Sequence, residues 1–191
     1  MRVISGTARG HRLYSPKNYD ARPTADRIKE AMFSSIQDII FDSRFLDLFG
    51  GTGAIGIEAL SRGAKSAVIV ENNAECVEII KKNLSHTNLC DRCVVINRSA
   101  NDAINALSRA ENFDFIFLDP PYNQNMIQKT LIRIMENNIL CDDGTIIAEY
   151  GADEEIISPA GLEIIKVKNY RITRMVFYKR SNVSAGEEEK P

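Results

Sequence analysis

The stretch 46-LDLFGGTGAIG-56 decides the fold. A run of apolar residues carries one carboxylate, Asp47, and ends in a glycine-rich loop that opens a helical pattern. Gly51, Gly53 and Gly56 fall in the spacing G-x-G-x-x-G. Glycines there let the backbone turn tightly and approach a ligand at a helix N-terminus. Glu71 follows Gly51 by twenty residues, at the end of the next apolar run. A carboxylate at that point can take both hydroxyls of a ribose. Strand, glycines, helix and acid together call for an adenosine-type cofactor.

Outward from this loop the pattern alternates. Strands are expected at 45–49, 67–71, 94–97, 113–118 and 145–150, and helices at 53–62, 72–84, 99–109 and 126–136. Asn72 with Glu75, and Ser99 with Asp102, have the spacing of capping boxes. A last strand pair is expected at 163–169 and 172–179. Strands alternating with helices mean an α/β fold with a mostly parallel, doubly wound, seven-stranded sheet of Rossmann-like type. The short link in the last pair implies an antiparallel edge strand. Before the core, residues 2–5 and 11–14 suggest a hairpin, and Arg22-Pro23-Thr24 starts a helix with Thr24 as its N-cap. One domain is expected over 1–180, with 1–43 as an N-terminal extension and 44–180 as the core. The polar tail 181–191 is expected to be disordered.

The 191 residues suffice for one compact domain, and 44% apolar with 26% charged residues is ordinary for a globular protein. No apolar run reaches the roughly 18–20 residues of a membrane helix, and the N-terminus does not read as a signal peptide. A cytoplasmic protein is expected. Cys90 and Cys93 form a lone C-x-x-C without a second pair, so they read as incidental thiols rather than a metal site. The net charge of −2 hides a pattern. Residues 1–29 and 163–180 each carry +5, while 30–162 carry −10. Basic ends around an acidic middle suit a phosphate-rich partner.

The glycine motif alone would also suit NAD. Asp47 argues otherwise, because a carboxylate there repels a pyrophosphate yet can pair with an ammonium. S-adenosylmethionine carries adenosine and an amino acid and no phosphate. Asp47 for its amine and Glu71 for its ribose suit it. At the third strand end, 97-NRSAND-102, Ser99 or Asn101 could bond the adenine amine, although Ser99 is equally explained as a helix cap.

The fourth strand ends in 119-DPPY-122. Two prolines remove two backbone donors and leave carbonyls as acceptors. Asp119 and the Pro120 carbonyl thus make an acceptor-rich site, which wants an N–H donor. Tyr122 offers a face on which a base can stack. A planar exocyclic amine beside a methyl donor meets these demands.

These motifs resemble the amino-methyltransferases that act on nucleic acid or glutamine. The segments 1-MRVISGTARGHRL-13 and 22-RPTADRIKEAMF-33 narrow the resemblance to the 16S rRNA (guanine-N2)-methyltransferases of the RsmD type, over roughly residues 1–180. The resemblance implies a class I Rossmann-like methyltransferase that transfers a methyl group from S-adenosylmethionine to the N2 amine of a guanine in 16S rRNA or the small ribosomal subunit, and that can act as a monomer. It implies cofactor contacts from Asp47, Phe49, Gly50, Gly51, Gly53, Glu71, Asn72, Ser99 and Ala100. Asp119, Pro120 and Tyr122 would be catalytic. Pro121, Arg9, Arg12, Arg22, Thr24, Arg27 and Tyr170 would meet the RNA. The chain departs from the pattern at Arg98-Ser99-Ala100, where Gly-Asp-Ala is usual, and at Arg171, where Gly is usual. Three other readings remain at this point: a DNA adenine-N6 methyltransferase, an NAD-dependent oxidoreductase and a non-catalytic RNA-binding assembly factor.

Overall fold

The computed structural model describes residues 1–16, 23–108, 112–121 and 125–181, with the side chains of 23–25 left aside. Arg22, Tyr122, the Thr24 side chain and the tail from 182 onward lie outside the described residues. In chain order the elements are α1 (Pro23–Ser34), β1 (Arg44–Asp47), α2 (Ala54–Ser61), β2 (Ser66–Glu71), α3 (Ala74–His86), β3 (Cys93–Asn97), α4 (Ala100–Leu107), β4 (Phe113–Leu118), α5 (Met126–Glu136), β5 (Leu140–Gly151), β6 (Leu162–Asn169) and β7 (Thr173–Arg180).

The strands form one seven-stranded sheet in the order β3-β2-β1-β4-β5-β7-β6. Strands β1 to β5 run parallel. The central strands β1 and β4 bury Phe45, Leu46, Phe115, Ile116, Phe117 and Leu118 because helices cover both faces of the sheet. One face packs Met32, Phe33, Ile57, Leu60 and Ile80 against Phe45, Phe115 and Phe117. The other packs Ala103, Ile104, Ile127, Leu131 and Ile134 against Leu46, Ile116 and Leu118. The reversed strand is β7, antiparallel to both β5 and β6, so it lies one position in from the edge strand β6. The chain turns between β6 and β7 with Tyr170 N donating to Thr173 O at 2.8 Å. Arg171 keeps a negative φ there, so this turn has no need of glycine.

Several local expectations shift. Helix α1 begins at Pro23, whose fixed φ suits the first helical position, so Thr24 sits within the first turn rather than at the cap. The cap of α3 is Asn73, not Asn72: its Oδ1 accepts from Glu75 N at 2.9 Å and Cys76 N at 3.2 Å. That leaves Asn72 exposed beside the end of β2. The Ser99 cap of α4 is present, with Asp102 N donating to Ser99 Oγ at 3.2 Å. Cys90 to Arg92 form a single 3₁₀ turn before β3. Cys90 is exposed, and burial pushes the Cys93 thiol up to about 12. Among the described residues no cluster of metal-ligating side chains occurs, and no helix is long and apolar enough to cross a membrane.

The N-terminal hairpin is reduced to one antiparallel bridge, Arg2 to Arg12. The residues between turn onto α2 instead, and Glu58 is why. This carboxylate is fully buried on α2. It accepts Ile4 N at 2.8 Å and Ser5 N at 3.0 Å, and pairs with Lys29 Nζ of α1 at 3.2 Å and Arg62 Nε at 2.8 Å. Lys29 Nζ also donates to Arg2 O at 2.6 Å. Gly6, at φ +82°, comes so close that a Cβ would lie 1.7 Å from Ser61 O. Ser61 Oγ closes the contact, donating to Ser5 O at 2.6 Å and accepting Ala8 N at 2.9 Å. Burial lowers the Lys29 pKa, and the adjacent Glu58 opposes that fall. Removing one member of such a buried group strands the other, at a cost of about 3–5 kcal/mol. Glu58→Gln should therefore lower the urea midpoint with an unchanged slope, a loss of about 3 kcal/mol or more in equilibrium unfolding.

Candidate active site

The ends of β1, β2, β3 and β4 converge on one open cleft of about 670 Å³. Its walls come from Phe49 and Gly51 in the glycine loop, Glu71 and Asn72 after β2, Arg98 to Asn101 after β3, and Asp119 to Pro121 after β4. Met126, Lys129 and Thr130 of α5 close the remaining side. The position is the one where open α/β sheets bind ligands, outside the carboxyl ends of the strands where the order reverses.

The loop is pinned by backbone bonds. Gly50 N donates to Val70 O at 2.8 Å, and Gly53 N to Gly50 O at 2.7 Å. Gly56 packs so closely on β2 that a Cβ would lie 2.6 Å from Ile69 Cγ1. At Gly51 a Cβ would meet nothing within 4 Å, so the loop presents bare backbone to the cleft. Glu71 is fixed from two sides: Gly51 N donates to Oε2 and Asn73 N to Oε1, each at 2.8 Å. Each oxygen retains acceptor capacity for a hydroxyl. Asn97 Nδ2 donates to the Glu71 carbonyl at 2.9 Å and holds the two strand ends together.

Asp47 lies behind this loop and is 1% exposed, so its carboxylate is not on the cleft wall. Oδ1 accepts Phe49 N at 3.3 Å, while Oδ2 is buried with no partner among the described residues. Burial raises the Asp47 pKa to about 7, Phe49 and Gly56 N–H groups counter part of the rise, and Glu71 adds to it.

Asp119 projects into the cleft, where solvent reaches it. Its surroundings still displace water, and that burial, followed by Glu149 and Asp47, raises its pKa above the ordinary carboxylate range. Pro120 is buried and Pro121 exposed. Tyr170, in the β6–β7 turn, has a buried hydroxyl with no partner among the described residues. Its pKa is raised by burial and then by Glu149, the same carboxylate that acts on Asp119. Arg9, Arg12 and Arg27 are exposed and stand off the cleft wall. Ser99 is committed to α4: besides its cap it donates to Asp102 Oδ2 at 2.6 Å. Asn101, exposed on the wall, is the freer group at that end. Sequence reasoning did not single out Met126, Lys129 and Thr130. The signal was their spacing of three and four on the helix that follows the Asp-Pro-Pro turn, which places them on one face.

Sheet order and cleft define the class of fold, Rossmann-like, which is shared with solved structures described as S-adenosylmethionine-dependent methyltransferases. The family described as Conserved hypothetical protein 95 matches residues 1–179, and the chain belongs to it. Relatives agree. YlbH of Bacillus subtilis is 36% identical over 182 residues, 94% of this chain and 99% of that protein. Ribosomal RNA small subunit methyltransferase D of Haemophilus influenzae is 34% identical over 180 residues, 93% of each. The solved structure of yhhF from Escherichia coli matches with TM-score 0.83 at 29% identity, over 94% of this chain and 97% of that one.

The residues present fit the cofactor. Bare backbone at Gly51, a fixed acceptor at Glu71 and an unmet anion behind the loop at Asp47 suit an adenosine with a cationic amino-acid end. Asp47 also couples stability to pH. Its folded pKa of about 7 lies above the unfolded value near 3.8. The folded state therefore holds the extra proton between those values, and stability falls as pH rises through that window. Asp47→Asn should abolish this slope, so that wild-type and variant unfolding free energies converge in shape below pH 4 and diverge by a few kcal/mol near neutrality. Urea unfolding at several pH values measures it.

Proposed function

We propose that this protein methylates the N2 amine of a guanine in 16S ribosomal RNA. The observation that carries the reading is that Asp119-Pro120-Pro121 opens onto the same cleft as Gly51 and Glu71. S-adenosylmethionine supplies there a methyl group on a sulfonium, ready for attack by a nucleophile. Gly50, Gly51, Gly53 and Phe49 hold its amino-acid end, with Asp47 acting from behind the loop. Glu71 and Asn72 take the ribose, and Ala100 and Asn101 flank the adenine.

The chain's own residues then prepare the amine. A guanine N2 is a weak nucleophile because its lone pair is delocalised into the ring. Asp119 and the Pro120 carbonyl accept its two N–H groups, which favours the localised, attacking form and stabilises positive charge developing on nitrogen. The raised pKa of Asp119 lets it take the proton that the amine sheds. The prolines keep both acceptors in place. Pro121 bears on the base, Tyr170 supports the site, and Arg9, Arg12 and Arg27 serve the RNA backbone; Tyr122, Arg22 and Thr24 keep the roles the family resemblance implies for them. Residues 1–180 work as one unit in this scheme. The guanine, rather than adenine, rests on the resemblance of residues 1–13 and 22–33 to the RsmD-type enzymes, and relatives named ribosomal RNA small subunit methyltransferase D support the RNA substrate.

Labelled methyl transfer onto 16S rRNA and small subunits from cells lacking this protein tests the assignment. The expected product nucleoside is N2-methylguanosine, and N6-methyladenosine would overturn it. Asp119→Ala should bind S-adenosylmethionine at near wild-type affinity by calorimetry and lose about 10²-fold or more in kcat. Wild-type kcat should fall on acidification at a pH above the ordinary carboxylate range, as Asp119 becomes protonated.

A further inference from the structure

Outside the cleft, the N-terminal segment and α3 build an aromatic and cationic cluster that the catalytic scheme leaves unused. Tyr14 and His86 meet edge to face at 5.5 Å, and His86 meets His11 likewise at 5.2 Å. Lys82 Nζ stands 3.8 Å from the Tyr14 ring centroid. His11 Nδ1 is tied to the Ala8 carbonyl at 2.9 Å, which fixes its ring.

The cluster is held in register with the active site. Asn83, wholly buried, accepts Tyr14 N at 2.7 Å and donates to Tyr14 O at 3.0 Å and to Thr52 O at 2.8 Å. Thr52 is the neighbour of Gly51 on the cleft wall. The fold thus grips Tyr14 by its backbone, spends a buried amide to do so, and leaves the side chain 43% exposed. Lys82, His86, Arg9 and Arg12 are exposed, and neither arginine nor Lys82 has a carboxylate partner among the described residues. An exposed ring with a cation over it, flanked by further cations, suits a stacked base and its phosphates.

We propose that Tyr14, His86 and Lys82, with Arg9 and Arg12 on the same segment, form a docking platform for an unpaired stretch of the RNA substrate, beside the cleft but separate from it. This rests on the reading of the protein as an RNA methyltransferase. Unpaired RNA is favoured over duplex because stacking on a side-chain ring requires a base free of its own stack. The platform anchors the strand next to the glycine loop, so that a target base can reach Asp119.

Binding of a short unpaired RNA oligonucleotide, and of the same sequence as a duplex, to the full-length protein tests it. Tyr14→Leu should weaken binding of the unpaired RNA by about 5- to 150-fold, Tyr14→Phe should retain it, and S-adenosylmethionine affinity should stay unchanged in both. Because the fold contacts of Tyr14 are to its backbone, both variants keep them. Lys82→Ala should flatten the salt dependence of binding by about 0.7 in log-log slope. In turnover, Tyr14→Leu should raise KM for RNA more than it lowers kcat. Unchanged RNA affinity in Tyr14→Leu, or equal loss in Tyr14→Phe, overturns the platform. If wild type transfers no methyl group to RNA yet binds unpaired RNA through Tyr14, the platform stands and the methyltransferase reading falls.

Discussion

The buried carboxylate of Glu58 is the constraint on which the rest depends. It sits on α2, the helix that the glycine loop opens, and it collects two backbone N–H groups from the N-terminal segment, an ammonium from α1 and a guanidinium from its own helix. A buried anion is tolerable only when its partners are in place. The chain therefore has one arrangement in which the first sixteen residues lie against the core. That arrangement carries Tyr14 to Asn83 and so to the glycine loop. Cofactor loop, N-terminal segment and α1 are fixed relative to one another by the same few hydrogen bonds.

The carboxyl edge of the sheet gathers negative charge. Asp47, Glu71, Asp119 and Glu149 act on one another there, and both Asp47 and Asp119 are pushed upward in pKa. Such a site disfavours phosphate. It is well suited to groups that donate: ribose hydroxyls, an ammonium, an amine on a neutral base. Apart from Arg98 and Lys129 on the wall, positive charge gathers elsewhere, with +5 on residues 1–29 and +5 on residues 163–180. Charge is sorted by position, so a polyanion is drawn to the periphery while only an uncharged or cationic group gains from entering the cleft.

The order of elements was legible in the sequence because parallel strands covered on both faces must be apolar throughout, as in 113-FDFIFL-118 and 66-SAVIVE-71. The glycine loop and the Asp-Pro-Pro turn were legible for a related reason, since each is built from neighbouring residues. What spans the chain was not. The insertion of β7 between β5 and β6 is a pairing choice that local pattern does not encode. Glu58 carries no local signal, because its partners lie at Ile4, Ser5 and Lys29, far away in sequence. Asp47 was taken to face a ligand, and its burial off the cleft wall could not be read from its place in the strand. The capping shift from Asn72 to Asn73 is a matter of one residue, yet it decides which asparagine lines the cleft.

The departure at Ser99 follows from the same economy. An aspartate at that position could accept from an adenine amine while backbone groups cap the helix. A serine offers one hydroxyl, and here that hydroxyl accepts Asp102 N and donates to Asp102 Oδ2. Its donor is engaged by Asp102 Oδ2 and one lone pair by Asp102 N, which leaves a single acceptor site where a carboxylate would offer several. Asn101 and Arg98, whose side chains are exposed, share that wall. An amide can offer both a donor and an acceptor to a purine edge, and a guanidinium can stack on its face. The loss of one carboxylate at this end also lessens the negative charge of the cleft where no cation of the cofactor has to be met.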